Sequence, residues 1–256
     1  MAYETLTVEH DGPIARVWLD RPERRNALST LALEEIADVF TALQRAFATP
    51  VVVLGGRGPS FCAGADRKDP PARLGKGSGA SARERRYVAQ TGRRAVEAIE
   101  RCEAITIARL QGHVIGGGLL LAAACDLRVA ATGTVFHIPE VDLGIPLTWG
   151  GAPRLAREVG PARARELILL CERFDADAAE RYGLVNRVVG EAELDGVVDD
   201  WARRLAAKAP WALHMTKTQF RACGQTTVLG DVTEADGDLL ASATAEDPTR
   251  FGFPGK

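Results

Sequence analysis

Phe61-Cys62-Ala63-Gly64-Ala65-Asp66 and Gly112-His113-Val114-Ile115-Gly116-Gly117-Gly118 decide how this chain is read. The first follows Val51-Val52-Val53-Leu54 and a glycine-rich loop, and the second follows Ile105-Thr106-Ile107-Ala108-Arg109-Leu110. Both apolar runs read as buried strands. Each small-residue turn is expected to open a helix, where the first N–H groups have no partner inside the helix. Glycine and alanine let another group approach that backbone closely. If the two turns converge, they hold one developing negative charge, as an oxyanion hole does. One turn alone reads better as close helix–strand packing. The pair is followed by Pro139-Glu140, which adds a carboxylate to the anion site.

Working outward, Leu6–Val8 and Ile14–Leu19 flank His10-Asp11-Gly12-Pro13 and read as a β-hairpin. Ser29 is placed to cap a helix running to about Ala48, with Leu33, Ile36, Phe40, Leu43 and Phe47 at helical spacing. Strand, helix, strand in this order predicts an α/β core. Residues 66–82 lack apolar periodicity and read as a mobile surface loop, either a cover for the site or a tolerated insertion. A helix is expected over 84–102 with Val88, Val96 and Ile99 inward, then a strand over 105–110 and a helix from the glycines to about Ala124. Leu127–Ala130 and Val135–Ile138 read as short strands. Helices are expected over 153–159, 162–171, 176–182, 192–207, 211–223 and 231–245, with a last strand at Val185–Val189. The organisation predicted is a core over 1–190 and a helical region over 191–256 that packs on the core or on a neighbouring subunit.

The 256 residues are enough for one large core. Thirty-two basic against 34 acidic residues leave a net charge of −2, so no global field favours nucleic acid. Arg83, Arg85, Arg86, Arg93 and Arg94 read as a solvated helix face. The five cysteines, at 62, 102, 125, 171 and 223, show no metal-ligand spacing. Dispersed thiols of this kind predict an intracellular, cytoplasmic protein. The start of the chain lacks signal-peptide character, and the apolar stretch near Ile115–Cys125 is too short and glycine-rich to span a bilayer. No membrane partner and no metal are expected.

Gly116–Gly118 does not make a nucleotide loop. Leu119-Leu120 follows where a P-loop needs Lys-Ser/Thr, and Leu121 stands where a dinucleotide fingerprint needs its last glycine. Glu140, if turned into a pocket, would have its pKa raised by desolvation and become a proton shuttle near neutrality. His137 and Asp126 read as structural, the latter a cap or ion-pair partner. Asp66 reads as an acid at a helix start. Thr148 and Trp149 read as pocket lining, with supply or exclusion of a water as the alternative.

The assembled motifs resemble the crotonase superfamily, the enoyl-CoA hydratases and isomerases, over nearly the whole chain. Asp20-Arg21-Pro22 with Asn26-Ala27-Leu28 resembles its N-terminal signature, and the two small-residue turns resemble its oxyanion segments. Ala124-Cys125-Asp126, Pro139-Glu140 with Leu143-Gly144-Ile145, and Ala178–Val185 complete the match in family order. The resemblance implies an α/β fold built as a spiral of ββα units with a C-terminal helical region. It implies a trimer or dimer of trimers, and an acyl-CoA thioester as substrate with no separate cofactor.

By position, the resemblance gives Ala65 and Gly117 N–H as holders of the thioester oxygen, and Glu140 as the catalytic carboxylate. It puts Ala63 by the adenine and the backbone near Arg24 and Arg25 along the CoA channel. Ala27, Asp66 and Gly116 join these as substrate-side residues. A typical hydratase of the family has two glutamates. Here Leu120 takes the place of the first. That departure resembles the 3-enoyl-CoA to 2-enoyl-CoA isomerases, and isomerisation is the function expected. A 2-enoyl-CoA hydratase or another reaction of the family is the alternative, and a non-catalytic acyl-CoA-binding protein is a further one. The end of the chain, Phe251–Lys256, also departs from the longer basic helix of many members.

Overall fold

The computed structural model describes residues 3–71 and 79–226, the last four as helix backbone only. The chain begins with the hairpin β1 (Leu6–Asp11) and β2 (Ile14–Leu19), then α1 (Thr30–Leu43) and β3 (Val51–Gly56). Next come α2 (Ala82–Ala89), α3 (Thr91–Arg101), β4 (Ile105–Leu110), β5 (His113–Ile115) and α4 (Gly117–Ala123). β6 (Leu127–Ala131), β7 (Val135–His137), α5 (Gly151–Val159) and α6 (Pro161–Leu170) follow. The described chain closes with β8 (Phe174–Asp175), α7 (Ala176–Arg181), β9 (Arg187–Val189), α8 (Leu194–Ala206) and α9 (Pro210–Thr226).

A six-stranded sheet runs in the order β1-β2-β3-β4-β6-β9, antiparallel at the hairpin and parallel elsewhere. Its central strands are buried on both faces, as parallel strands usually are. Alternation along β3 sends Val52 and Leu54 into a core with α1, α3 and α4, while Val51 and Val53 face the opposite side. There Leu194, Val198 and Ala202 of α8 cover them, together with Ile14, Ile107 and Val129. A small sheet, β5-β7-β8, stands apart from the large one.

The two sheets are linked by a repeated step. β4 and β6 pair in the large sheet, and β5 and β7, which directly follow them, pair in the small sheet. Cys62, downstream of β3, bridges Val114 of β5 and so repeats the step once more. These are successive ββα turns of a spiral, and the second strand of each turn delivers the chain to one place.

Several expectations are corrected. α1 stops at Leu43, and Phe47, expected inward, is exposed. Residues 84–102 form two helices that meet at Gln90, with Val88 only half-buried. α2 is started by a capping box in which Ser81 and Glu84 satisfy each other's N–H groups. No helix opens at Ala65-Asp66: the segment stays extended, and among the described residues the next helix begins at Ala82. β5 and β8 are strands too short for apolar alternation to reveal. Part of the 66–82 loop, the 231–245 helix and the Phe251–Lys256 end lie outside the described residues.

α9 is fastened to the core by a buried cation. Lys217 Nζ lies 2.7 Å from Asp126 Oδ2 and donates to the Ala104 carbonyl at 2.9 Å. Asp126 also accepts from the Thr106 N–H and hydroxyl at 2.7 and 2.8 Å. Lys217→Ala leaves a partly buried carboxylate without its counter-charge. A loss of about 2 kcal/mol is expected in urea unfolding, below the range for fully buried pairs because Asp126 is partly exposed. An unchanged midpoint would show that α9 is not held by this contact.

Candidate active site

The N-terminal edge of the site is a polar knot. Arg25 and Asn26 both lie in the left-handed region, at φ 50 and 55. Asparagine tolerates that conformation when its side chain is bonded locally. Asn26 Oδ1 accepts from the Arg21 N–H at 2.9 Å, and Nδ2 donates to the carbonyls of Arg57 and Ser60 at 2.9 and 2.8 Å. Arg21 donates to the Ala27 carbonyl and pairs with Asp66 at 2.8 Å. The knot exposes Arg24 and Arg25 and binds Ala63 beside them through its N–H to the Arg25 carbonyl.

Asp66 is 3% exposed and turned into the knot. Burial works to raise its carboxyl, but N–H bonds from Lys68 and Asp69 and the Arg21 guanidinium outweigh burial and hold it below the usual range. Its place is therefore an ion pair in an extended segment, in correction of the helix-start expectation.

Two parallel bridges fix the small-residue turns. Leu28 bridges Ala65, donating to the Gly64 carbonyl and accepting from the Asp66 N–H. A bridge of this kind uses the neighbours of Ala65 and leaves the Ala65 N–H pointing away, without a protein acceptor among the described residues. Cys62 bridges Val114, so its segment and that of β5 run side by side in one direction. Ala65 and Gly117 each stand three residues beyond that bridge. Gly117 opens α4, and its N–H likewise has no acceptor among the described residues.

Gly116 makes the second turn possible. It has φ 49 and ψ −118, donates to the His137 carbonyl at 2.9 Å, and has no Cβ where Glu140 Oε1 stands, 2.6 Å from the position a Cβ would take. The Glu140 carboxylate thus lies against the start of α4. The residue as a whole is half-buried, but Oε2 is sealed from solvent and has no hydrogen-bond partner among the described residues. Desolvation, opposed only weakly by its own N–H, pushes its pKa up to about 7. His137 is directed elsewhere, its Nε2 lying 2.9 Å from the Cys171 carbonyl.

Leu120, one turn into α4, is 2% exposed and packs where a Cβ on Gly151 would stand, next to Leu147. Trp149 is half-buried, with its ring against both Gly92 and Gly117. Thr148 is half-buried one residue before it. The structure therefore groups Arg24, Arg25, Ala27, Ala63, Ala65 and Asp66 on one side, and Gly116, Gly117, Leu120, Glu140 and Trp149 on the other. The Cys62–Val114 bridge joins the two groups. Among the described residues no group of three or more His, Cys, Asp or Glu is placed to hold a metal. The sequence alone assigns Arg21 and Asn26 no individual role. Their signal was present in Asp20-Arg21-Pro22 and Asn26-Ala27-Leu28, but their partners lie far along the chain.

Residues 9–254 match the family model described as "Enoyl-CoA hydratase/isomerase". The chain belongs to the enoyl-CoA hydratase/isomerase family. It is 36% identical over 248 residues to a crotonyl-CoA hydratase of Syntrophomonas wolfei, covering 96% of this chain and 93% of the relative. It is 32% identical over 251 residues to a short-chain-enoyl-CoA hydratase of Clostridium acetobutylicum, covering 96% and 94%. A peroxisomal Δ(3,5)-Δ(2,4)-dienoyl-CoA isomerase of Arabidopsis thaliana is 34% identical over 225 residues, 84% of this chain and 81% of that one. A family structure from Thermobifida fusca, solved in complex with CoA, superposes with a TM-score of 0.78 at 30% identity, covering 97% of this chain and 94% of that one. The spiral of ββα turns is accordingly the crotonase fold, and this chain is an enzyme of that family.

The Glu140 environment sets a stability signature. A carboxyl raised from 4.5 to about 7 in the folded state is neutral there between those values, while the unfolded chain is already charged. Stability therefore falls as pH rises from about 4.5 to about 7. At pH 8, Glu140→Gln is expected to be more stable than the parent by up to about 3 kcal/mol, at 1.36 kcal/mol per pKa unit. The gain should vanish near pH 4.5. Thermal unfolding across this range checks it, and a parent that is the more stable at pH 8 would mean the carboxylate is solvated or paired.

Proposed function

We propose that this family member isomerises 3-enoyl-CoA thioesters to 2-enoyl-CoA. One observation carries the reading: a desolvated Glu140 carboxylate lies beside Gly116, while the position one turn into α4 is filled by the buried, apolar Leu120. Hydration needs one group to activate water and another to protonate the α-carbon. A proton shift along the acyl chain needs a single carboxylate that takes and returns the same proton.

In this mechanism the thioester oxygen accepts from Ala65 N–H and Gly117 N–H. Glu140 removes a proton from C2, and the electron pair moves into a dienolate whose oxygen those two donors stabilise. Protonated Glu140 then delivers the proton to C4, and the double bond comes to rest between C2 and C3. The CoA moiety runs along the exposed Arg24 and Arg25 with its adenine near Ala63. No metal or redox group enters these steps. We read 1–190 as the acyl-CoA-binding core and the chain from 191 onward as a second region, of which α8 packs on the core. The free thiols of Cys62, Cys102, Cys125 and Cys171 support a reducing, cytoplasmic setting.

A second reading is hydration of 2-enoyl-CoA, favoured by the hydratase names of the two relatives covering most of this chain. The two are separated by supplying a 3-enoyl-CoA and crotonyl-CoA in parallel. Isomerisation produces conjugated absorbance from the first, and hydration removes it from the second. Faster turnover of crotonyl-CoA to 3-hydroxybutyryl-CoA would replace the isomerase reading. Tight binding of both with no product would leave an acyl-CoA-binding protein.

Glu140→Gln is expected to lose about 10²–10⁴-fold in isomerase kcat, the usual share of a general acid–base group. In the parent, kcat/KM should rise with pH through about 7 and then level, because the free enzyme's base must be ionised. A profile flat from pH 5 to 9 would remove Glu140 from the proton transfer.

A trimer or a dimer of trimers is the proposed assembly. Exposed Leu169 and Leu170 on α6, and Trp211 and Phe220 on α9, support association with another copy. Light scattering at micromolar concentration is expected to give three or six times the chain mass, and a monomer across that range would count against it.

A further inference from the structure

The ring of Trp149 stands in a slot made by two helices. On α3, a Cβ at Gly92 would overlap the fused edge of the indole, and on α4, a Cβ at Gly117 would overlap its outer edge, Cζ3 and Cη2. Neither helix carries a side chain where the ring sits. Leu28 Cδ1 closes the slot beside Gly117, 3.2 Å from the same Cβ position.

The ring is held on a left-handed backbone. Trp149 has φ 59 and Gly150 φ 70. Such a conformation is unfavourable for a bulky residue and persists only when its surroundings impose it. Here the buried Arg154 imposes it by donating to the Gly150 carbonyl at 3.1 Å and the Trp149 carbonyl at 3.4 Å. Arg154 is itself paired with Glu100 of α3, which also pairs with Arg157. The loop is thus tied to the helix that forms one wall of the slot, and the indole is a fixed wall.

We infer that Trp149 sets the acyl-chain limit of this enzyme, confining it to short enoyl groups of about four carbons. The inference rests on the reading of Gly117 N–H as an oxyanion donor. A thioester oxygen held there puts C1 next to the indole edge, and C2 to C4 within reach of Glu140 on the adjoining Gly116. Chain atoms beyond C4 meet the ring. Space that would take a longer acyl group is occupied by the indole, and the two glycines mark it as fitted to that ring.

The test is calorimetric binding of two unreactive saturated thioesters, butyryl-CoA and octanoyl-CoA, to the parent, Trp149→Gly and Trp149→Phe. Circular dichroism melting checks folding. Glycine removes the ring and suits the left-handed backbone, while phenylalanine withdraws the outer edge from Gly117. The parent is expected to gain nothing from the four extra methylenes. In Trp149→Gly the octanoyl-to-butyryl preference should rise at least tenfold, towards the roughly hundredfold or more that burying four methylenes supports. Trp149→Phe should move the same way by a smaller factor, and it decides the matter if the glycine variant does not fold.

A parent that already favours octanoyl-CoA tenfold overturns the assignment, as does a preference that neither variant moves by threefold. Because no turnover is measured, the result does not depend on isomerase or hydratase chemistry. If neither thioester binds the parent, the acyl-CoA reading fails together with this one. If both bind and the ratio stays fixed, only the role of Trp149 fails.

Discussion

A backbone donor that is to meet a developing negative charge, the role proposed for Ala65 and Gly117, has to be kept from every acceptor in its own chain, yet held still. This constraint organises the structure. Secondary structure normally pairs nearly all buried N–H groups. Among the described residues, Ala65 escapes pairing because Leu28 bonds only to its neighbours, and Gly117 escapes because it begins a helix. The bridge from Cys62 to Val114 aligns the two, and it exists because β3, β4 and β6 of the large sheet are each followed by a short excursion towards the small one. The Asn26 and Arg21 knot then locks the loop that carries Leu28.

Around these donors the lining is largely apolar. Leu120, Leu28 and Trp149 surround the start of α4 with apolar surface, and Glu140 is the ionisable side chain pressed against it. The same surroundings raise its proton affinity and strengthen any hydrogen bond to an oxyanion. At neutral pH the burial that raises its proton affinity works against folded stability.

The hairpin, the central strands and most helices were legible because their apolar periodicity is local. Ser29 as a cap and the burial alternation of Val51–Leu54 needed no distant information. What escaped the sequence depends on pairing between segments far apart. β5 and β8 are recognisable only through their partners, and the Ala63–Asp66 turn carries the small residues of a helix start while being held extended by Leu28. Motif order linked Pro139-Glu140 to the glycine turn, and the Glu140 carboxylate does lie against Gly116. The fit of Trp149 between Gly92 and Gly117 was not readable, since neither glycine differs in sequence from one that merely permits close packing.

The cover that α8 provides over the second face of the sheet has a consequence for biosynthesis. Ile14, Val51, Val53, Ile107 and Val129 belong to segments made early, but the residues that shield them, Leu194, Val198 and Ala202, are made late. Until those emerge from the ribosome, the nascent chain carries a finished apolar sheet surface open to solvent. Contacts of such long sequence separation also form slowly, because loop closure precedes any gain from them. The growing polypeptide therefore carries this apolar face without its α8 cover until residues 194–202 have been made.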